Sequence, residues 1–158
     1  MNQAMGHRQL AISKSNELES MNLTLREDAE PDIEFYYRQQ FKIYHEPYLL
    51  WDRDTWEEIL SVCTVYRIEA DGECVGDIIW EDRKKSVKYV VDFSILPGYQ
   101  GRGIGKAVLE EVKKISQRIA AITRKEMLGF FLKSGFVVKR RLRNYYHPHV
   151  DGYYILYP

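Results

Sequence analysis

Residues 87–96, Val-Lys-Tyr-Val-Val-Asp-Phe-Ser-Ile-Leu, form a nearly continuous apolar run that ends at Pro97-Gly98 and leads into Gly101, Gly103 and Gly105. Such a run fits a central strand covered on both faces. Val108, Leu109, Val112 and Ile115 then recur at helical spacing and predict an amphipathic helix over about Gly103–Gln117. A buried strand, a glycine loop and a helix in immediate succession restrict the chain to an α/β architecture. The helix N-terminus after the strand leaves free N–H groups and a positive dipole end facing outward, which favour an anion, typically phosphate. The glycines let the backbone approach that ligand closely.

The remaining segments build a sheet around this unit. Met21–Arg26 alternates as a strand. Ile33, Tyr36, Tyr37, Gln40, Phe41 and Tyr44 predict a helix, with Asp28 or Glu30 as its cap, Pro31 in its first turn and Pro47 beyond its end. Trp51–Leu60 reads as a second helix, capped by Asp54 or Thr55. Val62–Ala70 and Cys74–Trp80 form a hairpin around Asp71-Gly72. A short strand at Ile119–Ile122 precedes a helix at Lys125–Lys133, which Gly135 ends. Phe136–Tyr145 and Tyr153–Tyr157 are the last strands. The predicted order is β-α-α-β-β-β-α-β-α-β-β, a mixed, mostly antiparallel twisted sheet flanked by helices. Residues 1–20 are polar and weakly patterned and read as a mobile N-terminal extension; residues 21–158 read as one domain.

Composition removes several classes of function. Lys plus Arg and Asp plus Glu both number 23, so the basic excess of a nucleic-acid binder is missing. The segment from Lys113 to Arg143 is nonetheless mostly basic, which suits an anionic ligand on one face. No apolar run approaches the ~18 residues of a membrane span. Cys63 and Cys74 are too few for a disulfide framework and lack metal-ligand spacing; as free thiols they fit a reducing, cytoplasmic setting. His147 and His149 flank Pro148 without further ligands, so no metal site is expected.

Three phosphate motifs compete for the loop Pro97-Gly98-Tyr99-Gln100-Gly101-Arg102-Gly103-Ile104-Gly105-Lys106. A Walker A loop fails, because position 100 is Gln and Lys106 is followed by Ala107. A dinucleotide fingerprint fails, because Lys106 stands where the third glycine is needed. The pattern Q/R-x-x-G-x-G/A fits as Gln100 to Gly105. After a strand ending in Leu-Pro, that pattern resembles the GNAT superfamily of acyl-CoA-dependent N-acetyltransferases. Gly135-Phe136 resembles a second GNAT signature, and Arg143-Asn144-Tyr145-Tyr146 resembles the penultimate strand of enzymes that acetylate protein N-termini. The resemblance covers Met21–Pro158.

The resemblance implies N-acetyl transfer from acetyl-CoA, the cosubstrate, to a primary amine of a small molecule or of a protein N-terminus or lysine, without a covalent enzyme intermediate. It implies that Gln100, Gly101, Arg102, Gly103, Ile104, Gly105 and Lys106 hold the pyrophosphate. It implies that Phe93, Ser94 and Ile95 pair with the pantetheine arm, where the central strand splays from its neighbour. Arg124 stands where the family often has Asn and is a candidate for a phosphate or the pantetheine amide. The acceptor amine would enter between the first two helices and the final hairpin, near Trp51 and Tyr145. Dimers are common in such families, which leaves room for a homodimer. The family's usual acid and base positions hold Phe131, Ile119 and Tyr89 instead. Asp92, the one carboxylate inside the central strand, is therefore the candidate base, and Tyr146 the candidate acid. The alternative is a non-catalytic acyl-CoA-binding or regulatory module of the same fold.

Overall fold

The computed structural model describes residues 8–12, 18 and 20–158. Eight strands form one sheet in the order β1-β2-β3-β4-β5-β6-β8-β7. They are β1 (Gln9–Ala11), β2 (Leu23–Glu27), β3 (Thr64–Ala70), β4 (Glu73–Arg83), β5 (Val87–Ile95), β6 (Arg118–Thr123), β7 (Val137–His147) and β8 (Val150–Tyr157). Among the described residues only β5 and β6 pair in parallel; every other neighbouring pair is antiparallel. Four helices flank the sheet: α1 (Ile33–Ile43), α2 (Arg53–Val62), α3 (Ile104–Ile115) and α4 (Leu128–Lys133).

Helices cover both faces, and neighbouring residues of one strand serve both cores. Ile78 packs with Leu25, Ile68, Val108, Val112 and Phe131 under α3 and α4. The next residue, Ile79, packs with Tyr36, Trp56, Leu60 and Val65 under α1 and α2. Period-two alternation in a strand covered on both sides requires this. Ile78 and Ile79 are both fully buried, and each such burial contributes about 1.5–3 kcal/mol.

The structure alters the sequence reading at its margins. Within the N-terminal extension, Gln9–Ala11 pairs with Thr24–Arg26, and Ile12 and Leu18 are buried in the larger core. The rest of that extension, residues 1–7, 13–17 and 19, lies outside the described residues. Helix α1 is capped by Asp32, whose carboxylate accepts from the Glu34 amide. Helix α2 is capped by Asp52, which accepts from the Thr55 amide. In both cases several polar residues precede the helix, and only the one whose backbone stays extended at the boundary can cap it. Val62 closes α2 and is 68% exposed; β3 begins at Thr64.

Strands β4 and β5 approach each other closely at Gly76. A Cβ added there would lie 2.0 Å from the carbonyl oxygen of Ser94, a backbone atom. Gly76→Ala should therefore lower stability by about 3 kcal/mol, the upper end of overpacking costs. A urea-denaturation midpoint measures it, and an unchanged midpoint would refute this close approach.

Candidate active site

The loop after β5 is held by its own ends. The Gln100 side-chain amide donates to the Ile95 carbonyl at 2.8 Å, and the Leu96 amide donates to the Val75 carbonyl at 2.7 Å. Gly101 and Gly103 sit at φ +71° and +85°, the left-handed region that glycine enters without steric cost. Gly103 is the N-cap of α3 and supplies no side-chain oxygen, so the first N–H groups of that helix are left for a ligand. Gly105 brings α3 against its neighbours: an added Cβ would meet the Phe130 ring at 3.2 Å. Arg102 and Lys106 are exposed beside the loop, and the Arg102 guanidinium lies 5.4 Å from the Tyr99 ring centre.

The sheet opens beside this loop. Pairing between β5 and β6 extends from Val87 opposite Arg118 to Val90 opposite Ala121. Beyond it, Val91–Ile95 keeps β4 as a neighbour but has no partner on the β6 side, while Ile122 and Thr123 pair only with β8. The splay that sequence expected beside Phe93, Ser94 and Ile95 is therefore present.

A bulge decides which way these side chains face. The β4–β5 register shifts between Ile79, opposite Asp92, and Trp80, opposite Val90, so Val91 is the extra residue. Phe93 and Ile95 accordingly join Val90 in the core under α3 and α4. Val91 packs under α2, and Asp92 and Ser94 line a narrow cleft beneath α1. Ser94 thus turns its side chain away from the α3 face, onto which Phe93 and Ile95 turn theirs.

The cleft collects polar groups that sequence spacing did not join. Tyr44, the residue that ends α1, donates its hydroxyl to Asp92 Oδ1 at 3.1 Å. Asp77 on β4 lines the same cleft and is 2% exposed. Burial pushes the Asp77 carboxyl well above the usual carboxylate range, and the neighbouring Asp92 adds to the rise. Burial also raises Asp92, while Asp77, Tyr44 and Ser94 restrain it. Asp77 Oδ1 and Ser94 Oγ are buried without a hydrogen-bond partner among the described residues. Burial likewise raises the Tyr44 hydroxyl, so it remains a donor.

The opposite wall comes from the final hairpin. Leu142 faces Gly152 and His147 faces Val150, which leaves Arg143–Tyr146 against Asp151 alone. Asn144 turns this bulge at φ +53°, with its amide bonded to Asp151 and its side-chain oxygen accepting from the His149 amide. The bulge aims two tyrosines inward. Tyr146 donates to the Ile122 carbonyl at 3.1 Å, and burial followed by Tyr145 raises its hydroxyl. The Tyr145 ring lies over Gly152, where an added Cβ would meet it at 2.9 Å. Arg124, half-buried beyond β6, acts electrostatically on both Tyr44 and Tyr146. A stack of Tyr48 on His147, centroids 5.0 Å apart, joins the α1–α2 connection to this hairpin.

Most of the residues expected from sequence are therefore gathered around one opening, with a different division of faces. Trp51 is the exception. Its backbone is held by Gln40 through two hydrogen bonds and its ring packs on Trp56; Trp56 lines the cleft and Trp51 does not. Ile119 and Phe131 are buried in the larger core and have no proton to give. Tyr89 lies against Tyr145 under the Arg83 guanidinium, its hydroxyl pushed up to about 12 by burial first. Sequence reading missed Asp77 and the role of Tyr44. Asp77 carried a usable signal, a lone carboxylate in an apolar strand, which is the signal that marked Asp92. Among the described residues no three His, Cys, Asp or Glu side chains gather as metal ligands.

A strand splayed beside a glycine-capped helix N-terminus is the arrangement that the GNAT resemblance implies. Residues 61–138 match the family model described as "Acetyltransferase (GNAT) domain". The solved structures agree in fold. The ribosomal-protein-S18-alanine N-acetyltransferase from Escherichia coli is 18% identical, with a TM-score of 0.73 over 86% of this chain and 93% of that one. Arabidopsis thaliana Naa50, solved with the bisubstrate analogue CoA-Ac-MVNAL, is 17% identical, with a TM-score of 0.69 over 86% and 98%. A GNAT family acetyltransferase from Elizabethkingia anophelis, solved with acetyl-CoA bound, is 14% identical, with a TM-score of 0.64 over 85% and 97%. None of the curated proteins compared matches the sequence. The chain carries a GNAT acetyltransferase domain.

Proposed function

We propose that this protein transfers an acetyl group from acetyl-CoA to a primary amine by direct attack of the amine. The observation that carries the reading is the splay of β5 from β6 beside the uncapped, glycine-lined N-terminus of α3. The left-handed glycines and free N–H groups fit a pyrophosphate, with Arg102 and Lys106 flanking it. The unpaired edge of Phe93–Ile95 fits an extended pantetheine arm, and Arg124, just beyond β6, is the candidate for its amide or a phosphate. When bound, acetyl-CoA supplies the thioester that the amine attacks.

The chain's own residues then handle protons. As the N–C bond forms and the C–S bond breaks, Asp92 takes one proton from the amine nitrogen and the Tyr146 hydroxyl gives one to the leaving sulfur. Tyr145, half exposed beside Tyr146, forms the wall against which the acceptor lies. The cleft leaves the acceptor open among small amines, lysines and protein N-termini.

The positions of Phe131 and Ile119 favour a second reading, a binding module without turnover, because neither can exchange a proton. Calorimetry with acetyl-CoA, followed by a screen of amines for released CoA, separates the two. Binding with turnover supports the transferase, binding without turnover supports the module, and no binding at near-millimolar cofactor removes both.

The bulged hairpin carries its own prediction. Gly152→Val drives a side chain into Tyr145 and Ile122 and shifts the wall. It should lower kcat/KM by about 100-fold, the scale of a 1 Å misplacement, while acetyl-CoA affinity stays within about twofold. Equal losses of affinity and turnover would place the damage elsewhere.

A further inference from the structure

We propose that Asp77 is a positioning residue: it carries the single proton of a carboxyl pair and donates it to Asp92, which remains the lone anion facing the acceptor. This rests on the acetyl-transfer reading, in which Asp92 takes the proton of the amine. The two carboxyls stand on adjacent antiparallel strands, with Asp77 opposite Ser94 and Ile79 opposite Asp92. They are therefore diagonal neighbours on one face, and both line the cleft beneath α1. Two anions so close in a dry cleft would repel each other strongly; one shared proton removes the repulsion and adds a donor.

The surroundings assign that proton to Asp77. It is the more deeply enclosed of the two, and its Oδ1 is buried without a partner. An ionised carboxylate with an orphaned oxygen carries the full desolvation cost, whereas a protonated one bonded to Asp92 does not. Asp92 lies nearer the opening and already accepts from Tyr44. The titratable and charged groups facing the pair are Tyr36 and Tyr44 from α1, Arg67 on β3 opposite Asp77, Cys74 from β4 and, beside Tyr44, Arg124 beyond β6. Burial keeps both tyrosines and the thiol protonated, so of these Arg67 and Arg124 carry a charge: Arg67 is paired with the Asp28 carboxylate at 3.5 Å, and Arg124 acts on Tyr44, the donor to Asp92. With O–H donors from Asp77 and Tyr44, the Asp92 carboxylate is held in place in the cleft.

The test uses the full chain with Asp77→Asn and Asp77→Val. Asparagine keeps a donor and mimics the protonated acid; valine removes the donor. The acid limb of kcat/KM should coincide in Asp77→Asn and wild type, with a loss of no more than about threefold. In Asp77→Val it should move up by about one pH unit, with activity recovered at high pH. A limb that falls by a unit in Asp77→Asn means that Asp77 was an anion and overturns the proposal. A wild-type limb in Asp77→Val reduces Asp77 to packing and also overturns it. Carbon-13 NMR of aspartate-labelled protein reads the same proton without activity: the Asp77 carboxyl should stay protonated well above the ordinary aspartate range. An inactive wild type would sink the acetyl-transfer reading, whereas an Asp77 that titrates normally by NMR would sink the carboxyl pair alone.

Discussion

Arg102→Glu/Gly103→Asp weakens acetyl-CoA binding by at least about 100-fold while the protein stays folded. The two effects separate because the substitution acts on α3 in opposite senses. Carboxylates in the first turn favour the dipole of the helix, by about 0.3–1 kcal/mol each, which offsets much of the strain of a side chain at φ +85°. The same carboxylates face any phosphate placed there and compete for the N–H groups that Gly103 leaves uncapped. Arg102 also changes from an exposed cation to an anion. Titration calorimetry reads the affinity, and a thermal midpoint within a few degrees of wild type shows that the fold survived. Unchanged affinity would move the cofactor away from α3 and remove the foundation of the proposed function.

Asp92→Asn lowers kcat/KM by about 10²–10⁴, the contribution of a positioned general base, and leaves acetyl-CoA affinity within about twofold. Asparagine has the same shape and still accepts from Tyr44, so the cleft under α1 is preserved. It cannot take a proton. The pH profile should change in parallel. Burial raises the Asp92 carboxyl, so in the folded protein it becomes an anion only above the ordinary aspartate range near pH 4. Turnover should therefore rise with pH through that raised value in wild type, and this limb should be missing from Asp92→Asn. A loss below about tenfold with the limb retained would make Asp92 a structural residue.

The candidate site was legible in the sequence in proportion to how local its parts are. The loop from Gln100 to Lys106 was readable because phosphate binding at a helix N-terminus is built within ten consecutive residues. Asp92 stood out because an apolar strand tolerates a carboxylate only with a reason. The place of Trp51 was not legible, because its pairing with Gln40, eleven residues earlier, sets its ring on Trp56, and Trp56 lines the cleft. The helix caps were misplaced by a few residues because Asp28, Glu30 and Asp32 look alike until the backbone commits. The strand at Gln9–Ala11 was missed because three residues of weak pattern become a strand only when β2 offers its edge.

Taken alone, the sequence determined the mixed α/β class, the mostly antiparallel order of elements and the glycine loop that opens α3. Each of these follows from side-chain periodicity or backbone freedom within one segment. Tertiary structure decided which polar groups share a cleft. The bulge at Val91 turns Asp92 and Ser94 beneath α1, and the β4–β5 register brings Asp77 beside them. The four-residue bulge from Arg143 to Tyr146 turns the final tyrosines toward the same opening. Register and bulges arise from pairing between strands, and a one-residue slip moves a side chain to the other face of the sheet, so no single segment carries that information.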